Sequence, residues 1–159
     1  MGQTDAASIA SLTNLSSLFL DDDISKEDMR LIATAVPLRS LSLRRCSSED
    51  SLPLFTQLES LEVAYSPLLH LSTLKDIPSL TVLTVWDTGM RDEELSVLTN
   101  LLSLDIRGRH GGRARGLDWL TNETLSNLTS LTSLDVDRRS SVNEDIRFSL
   151  PNLKNLRFR

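Results

Sequence analysis

The sequence predicts an α/β solenoid of about seven coils, with a parallel sheet on its concave face and short helices and loops on its convex face. Three observations carry that expectation. The motif L-x-x-L-x-L recurs seven times in 159 residues, starting at Leu15, Leu38, Leu58, Leu80, Leu101, Leu131 and Leu153. Successive starts lie 23, 20, 22, 21, 30 and 22 residues apart, and a further apolar residue sits three positions before each (Leu12, Ala35, Phe55, Ile77, Leu98, Leu128, Leu150). Aromatic residues are only 4% of the chain against 40% hydrophobic residues, so leucine must build the core.

The physical reason is one of periods. In each L-x-L the two apolar residues point to one face of a short strand and the residue between them to the other. These inward pairs are Leu18/Leu20, Leu41/Leu43, Leu61/Val63, Leu83/Val85, Leu104/Ile106, Leu134/Val136 and Leu156/Phe158. One coil cannot bury its own apolar face, so neighbouring coils must stack and share a core. Seven strands at about 4.8 Å spacing give a parallel sheet about 29 Å long.

The pattern resembles the leucine-rich repeat family over nearly the whole chain. All spacings but the fifth fall within the family's window of about 20–29 residues. The family places Asn, Cys, Ser or Thr three residues after the last strand leucine, where the side chain bonds backbone groups of adjacent turns. The matching positions are Asp23, Cys46, Ser66, Thr88, Arg109 and Arg139. Cys46, Ser66 and Thr88 fit and Asp23 is a plausible substitute. Arg109 and Arg139 depart, so the turns after strands five and six should take another path. The missing asparagines point to an irregular, short-repeat variety, and Asp87–Leu95 looks like the return turn and short helix of bacterial-type repeats. The resemblance implies one right-handed leucine-rich-repeat domain over residues 1–159.

Taken in order, residues 3–11 suggest a small helical lid on the first coil. Ser25-Lys26-Glu27-Asp28 resembles a capping box, and Met29, Ile32, Ala33 and Val36 follow at helical spacing, so 26–35 should be helix. Residues 47–57 contain Pro53 and read as irregular. Residues 66–78 are framed by Pro67 and Pro78, with Leu69, Leu71 and Leu74 as buried candidates. Residues 92–98 should form a brief helix. The 30-residue fifth repeat contains Arg107-Gly108-Arg109-His110-Gly111-Gly112-Arg113-Ala114-Arg115-Gly116, which holds four of the chain's six glycines. A packed coil has no use for such a stretch, so 107–116 should loop out from strand five, and Trp119, Leu120 and Leu125 bring the chain back. Ser141–Glu144 is a second candidate cap, followed by Ile146 and Phe148.

Composition bounds the function. No apolar run approaches the roughly 18 residues of a membrane span. The start MGQTDAAS lacks a signal-peptide pattern, and Ala6 stands where a myristoylation motif wants Ser or Thr. The single cysteine, Cys46, permits no internal disulfide and favours a reducing, cytoplasmic setting. The net charge of −5 is uneven: residues 1–106 hold 7 Lys/Arg against 16 Asp/Glu (−9), and residues 107–159 hold 10 against 6 (+4). With one cysteine and two distant histidines, His70 and His110, no zinc site is expected. Asp21-Asp22-Asp23 reads as a solvated turn rather than a cation site. No nucleophile elbow, P-loop or dinucleotide fingerprint is present, so the chain is read as non-enzymatic, with no cofactor and no metal.

The residues opposite the leucines line the concave face in three columns. The first is small: Ser17, Ser40, Ser60, Val82, Ser103, Ser133, Asn155. The second is Phe19, Ser42, Glu62, Thr84, Asp105, Asp135, Arg157. The third is Asp21, Arg44, Ala64, Trp86, Arg107, Asp137, Arg159, with Tyr65 just beyond. Trp, Tyr and Arg dominate interface hot spots. The candidate contacts for a protein partner are therefore Phe19, Glu62, Tyr65, Trp86, Asp105, Arg107, Asp135 and Arg157. Trp86 has a second reading, as a cover for the sheet edge or a residue packed under the 107–116 loop. Arg109, Arg113 and Arg115 are candidate loop contacts, for an acidic protein surface, a phosphate or RNA, unless the loop is simply a solvated insert. The overall acidity and lack of interleaved aromatics count against nucleic acid. A targeting part of a larger enzyme or pathogen effector, of ubiquitin-ligase type, is the remaining alternative.

Overall fold

The computed structural model of the chain describes residues 5–46, 51–66, 71–108 and 117–159. Seven strands form one parallel sheet in chain order: β1 (Ser17–Asp21), β2 (Ser40–Arg44), β3 (Ser60–Ser66), β4 (Val82–Thr88), β5 (Ser103–Arg107), β6 (Ser133–Val136) and β7 (Asn155–Phe158). The register keeps the repeat: Leu18, Leu41, Leu61, Leu83, Leu104, Leu134 and Leu156 are partners across successive strands. The seven motifs thus become seven coils, and the leucines form a single buried stack. The stack thins at its ends, where Leu15 and Leu18, and Leu153, Leu156 and Phe158, are only half-buried.

The return segments follow their local chemistry. Helix α1 (Ala6–Ala10) starts at Asp5, whose carboxylate accepts the Ser8 N–H at 3.2 Å. Helix α2 (Lys26–Ala35) starts at Ser25, whose hydroxyl accepts the Asp28 N–H at 3.0 Å; Met29, Ile32 and Val36 are buried. Pro53 sits in a short 3-10 turn, Leu52–Leu54, and a second 3-10 turn, Ser72–Asp76, buries Leu71 and Leu74. Helix α3 (Asp92–Leu95) is tied at its start by Glu94, which accepts the Arg91 N–H at 2.9 Å. Helix α4 (Asn122–Leu125), absent from the sequence expectation, is capped by Thr121 and buries Leu120 and Leu125. Helix α5 (Ile146–Ser149) buries Ile146. Phe148, taken with Ile146 from the sequence, instead points outward at 89% exposure, because a single turn of helix turns only one of the two inward. Leu69 and most of the 107–116 stretch lie outside the described residues.

Polar ladders tie coil to coil. Ser66 Oγ accepts the Cys46 N–H at 3.1 Å and donates to the Ala64 carbonyl at 3.0 Å. Cys46 Sγ lies 3.4 Å from the Asp22 carbonyl and 3.5 Å from that of Arg44, so its one S–H donates to either. The turn positions expected from the repeat consensus therefore link coils one to three. The Thr88 hydroxyl accepts the Met90 N–H within its own turn. A second ladder runs just before the first motif leucine. Ser79 donates to the Thr56 and Leu58 carbonyls, Asn100 to Pro78 and Asn152 to Thr129.

In coil six Asp137 takes the turn role. The column rule put this residue on the open face, but it is only 3% exposed. Its carboxylate accepts the N–H groups of Gly108 (3.3 Å) and Arg139 (2.9 Å). Arg139 cannot accept a backbone N–H through its side chain, so the acceptor moves back two residues.

Leu104 lies inside the stack and is buried, so Leu104→Ala should cost about 2–5 kcal/mol, read as a lower midpoint in urea unfolding. Phe148→Ala should change stability by less than about 0.5 kcal/mol in the same assay, because its ring buries almost nothing.

Candidate recognition face

The concave face is laid out by strand register. Phe19, Ser42, Glu62, Thr84, Asp105, Asp135 and Arg157 form one row across all seven strands. Asp21, Arg44, Ala64, Trp86 and Arg107 form the next row across the first five. The sequence columns are thus real rows, but their side chains are not equally open. Phe19 (58% exposed) and Tyr65 (46%) stand out from the surface, as does Arg157. Glu62, Trp86, Asp105 and Arg107 are half-buried.

Four residues at one equivalent position, just past the row of Arg44 and Trp86, have left-handed backbone: Asp22 (φ 103°), Arg45 (φ 57°), Tyr65 (φ 52°) and Asp87 (φ 52°). This is where the chain leaves the sheet. Asp tolerates that conformation because its short polar side chain bonds locally; Arg and Tyr have no such excuse. Arg45 answers with charge pairing: its guanidinium lies 2.9 Å from Asp21 and 3.0 Å from Asp22. The Asp21–Asp23 run is thus partly an arginine clamp. Tyr65 carries the Arg44 guanidinium, 4.9 Å from its ring centroid.

A cluster of linked side chains lies on β4, β5 and β6. The Arg107 guanidinium sits 4.8 Å over the Trp86 ring and bonds Asp105 twice, with Nε donating to Oδ1 at 2.7 Å and Nη2 to Oδ2. Those hydrogen bonds, accepted by Asp105, are the main cause that holds the Arg107 guanidinium above its ordinary range. Burial opposes them, and the charges of Asp105, Asp135 and Asp137 add to them. Trp86 is therefore no open indole: it lies under an arginine, and its Nε1 is buried with no acceptor. Asp135 is 9% exposed, directly opposite Asp105 in register, and bonds Arg159 at 2.8 Å through Oδ2. Two like charges on facing strands repel, and here an arginine on each holds them in place. The sequence listing of contacts omitted Arg44 and Arg159, although both stood in the third column; only contact geometry distinguishes them from their neighbours. Arg109, Arg113 and Arg115 lie outside the described residues.

Among the described residues no group of three or more His, Cys, Asp or Glu could hold a metal ion, and no helix is long and apolar enough to cross a membrane. A groove of about 240 Å³ lies between the end of α2 and the turn at Leu52–Leu54, and its lining from Ala33 to Leu38 and Leu54 to Gln57 holds no ionisable side chain. Cys46 is buried and free, and burial, then the charge of Asp23, pushes its thiol up to about 11.

The geometry defines a leucine-rich-repeat solenoid, and comparison with solved structures agrees. An internalin from Listeria monocytogenes superposes with a TM-score of 0.67 at 22% identity, over 96% of this chain and 44% of that one. An internalin C2 from the same organism gives 0.63 at 22% identity, over 94% of this chain and 66% of that one. A chain of the mouse RP105/MD-1 complex gives 0.53 at 17% identity, over 92% of this chain and 32% of that one. All three are leucine-rich-repeat proteins, and at these identities the likeness is one of fold. The chain spans less than half the length of the first and just under two thirds of the second. No family model matches the sequence, and neither does any curated protein.

Removing the Asp137 carboxylate leaves two backbone N–H groups short of an acceptor, so Asp137→Ala should cost about 1–3 kcal/mol while Asp137→Asn recovers part of it, both read by urea unfolding. The folded thiol of Cys46 should titrate near 11, against 9.0 for an ordinary thiol. The fold holds that proton more tightly than the unfolded chain, so this group's contribution to stability is intact below pH 9 and declines towards 11. Thiolate absorbance of native and denatured protein, followed against pH, checks both midpoints.

Proposed function

We propose that the chain is a non-enzymatic recognition module, one domain over residues 1–159, that binds a protein partner on the concave face of its sheet. The observation that carries this reading is the Trp86–Arg107–Asp105 cluster. An aromatic ring, a cation and an anion are held in one arrangement on a parallel sheet before anything binds. Side chains already ordered lose less entropy on association, so more of the contact energy appears as affinity. Around this cluster Phe19, Glu62, Tyr65 and Arg157 offer contacts of mixed chemistry, and Asp135 positions Arg159 at the same rim. That one solved structure of this fold, RP105/MD-1, is a complex of two proteins is consistent with the reading. A single free, buried thiol suits a cytoplasmic setting.

An anion or RNA site built on Arg107 is less favoured. Its guanidinium is already committed to Asp105 and faces Asp135 and Asp137, which repel a phosphate. The remaining arginines of that reading, Arg109, Arg113 and Arg115, contribute to the proposal only as loop contacts at the C-terminal end of β5.

If Trp86 anchors the interface, Trp86→Ala should weaken partner binding by about 2 kcal/mol, roughly thirty-fold in Kd. Calorimetric titration checks the affinity and circular dichroism the fold. An unchanged Kd in a folded variant removes Trp86 from the contact surface.

A further inference from the structure

Within that reading, on which this inference rests, the unpaired charges of the concave face indicate the chemistry of the partner. Arginines around the face are matched by acids of the chain itself. Arg39 pairs with Glu59, Arg45 with Asp21 and Asp22, Arg107 with Asp105 and Arg159 with Asp135. Two arginines of the face have no such partner among the described residues: Arg157, which is exposed, and Arg44. Arg44 lies half-buried at the C-terminal end of β2, in the same row as Trp86, and among the described residues no carboxylate pairs with it. Its Nε is buried with no acceptor.

The side chain is nevertheless held in place. The Tyr65 ring lies under the guanidinium, with the ring centroid 4.9 Å away. On β1 the residue beside Arg44 is Asp21, whose carboxylate is engaged by Arg45; on β3 it faces Ala64, which is 4% exposed and has no charged side chain, and beyond Ala64 comes Trp86. An arginine with a buried, unmet N–H and no counter-ion carries a free-energy cost that an acceptor recovers, an anion most strongly. The planar guanidinium, stacked on an aromatic face, presents its remaining N–H groups as a fork matched to a carboxylate.

We propose that Arg44, stacked on Tyr65, is the capture point for a carboxylate, and that the partner presents an acidic segment, an Asp- or Glu-bearing peptide or loop, to the concave face at the C-terminal end of β2. Trp86 lies two strands further along the row, where an apolar neighbour of that acidic residue would pack. Glu62, on the adjacent strand and one outward position earlier than Ala64, makes no ion pair with Arg44 and sets a limit on how much negative charge the segment carries. The segment has one or two acids at a fixed position rather than a long acidic run.

A phage-displayed library of random linear peptides, panned against the intact chain, tests this. The expected result is a set of peptides with Asp or Glu enriched at one position next to an apolar residue. Synthetic copies should lose about ten-fold or more in affinity on Arg44→Gln, lose less on Arg44→Lys, and gain on Glu62→Gln, with melting temperatures unchanged. Peptides that weaken on Trp86→Ala but show no acidic preference, or bind Arg44→Gln as well as wild type, would overturn the carboxylate assignment and leave the concave-face reading standing. Peptides insensitive to both substitutions, or no selected peptides at all, would overturn both.

Discussion

The constraint on which the structure depends is that no coil can bury its own leucines. Each L-x-L sends two side chains inward from a strand of four to seven residues, and a single turn of chain offers nothing to cover them. Cover comes from the next coil, whose leucines stand at the same height. The in-register chain of Leu18, Leu41, Leu61, Leu83, Leu104, Leu134 and Leu156 is the consequence. Parallel pairing at constant register is the one arrangement that keeps every inward pair opposite another. A slip of one residue would turn the whole set outward.

That constraint also produces the candidate surface. If the inward residues must align, the outward ones align too, and rows of unrelated side chains are brought side by side. Trp86 and Arg107 are 21 residues apart in sequence and adjacent in the sheet. Asp105 and Asp135 are 30 apart and directly opposed. The repeat thus acts as a frame that holds variable residues at fixed spacing, and the energetic expense of holding them is met by the core beneath. The polar ladders serve the same end: Cys46, Ser66, Ser79, Asn100 and Asn152 satisfy carbonyls and N–H groups where the chain leaves the sheet or approaches it.

Much of this was legible in advance because it is periodic. The seven strands, the 26–35 helix, the buried Leu71, Leu74, Leu120 and Leu125, and the rows of the concave face follow from the spacing of apolar residues alone. What was not legible is non-periodic. Phe148 was paired with Ile146 by proximity, yet a single helical turn sends them in different directions. Asp137 read as an exposed column residue, yet it became the buried acceptor of coil six because Arg139 stood in the usual place. The second ladder before the motif leucines left only a weak trace, an excess of Ser and Asn at one register position.

For the candidate site the division is sharper. Strand alternation by itself determined which residues face the concave side, since period two leaves no choice once the leucines are committed inward. It determined the solenoid for the same reason. Which of those residues are open, paired or pinned was decided only by the tertiary structure. Arg44 and Arg107 occupy equivalent places in the repeat and look alike in sequence. One is bonded to Asp105 and laid over Trp86; the other rests on Tyr65, and the acid beside it, Asp21, is taken by Arg45. The difference lies in what the neighbouring coils bring within reach, and charge pairing depends on distances of a few ångströms that a one-dimensional pattern does not contain.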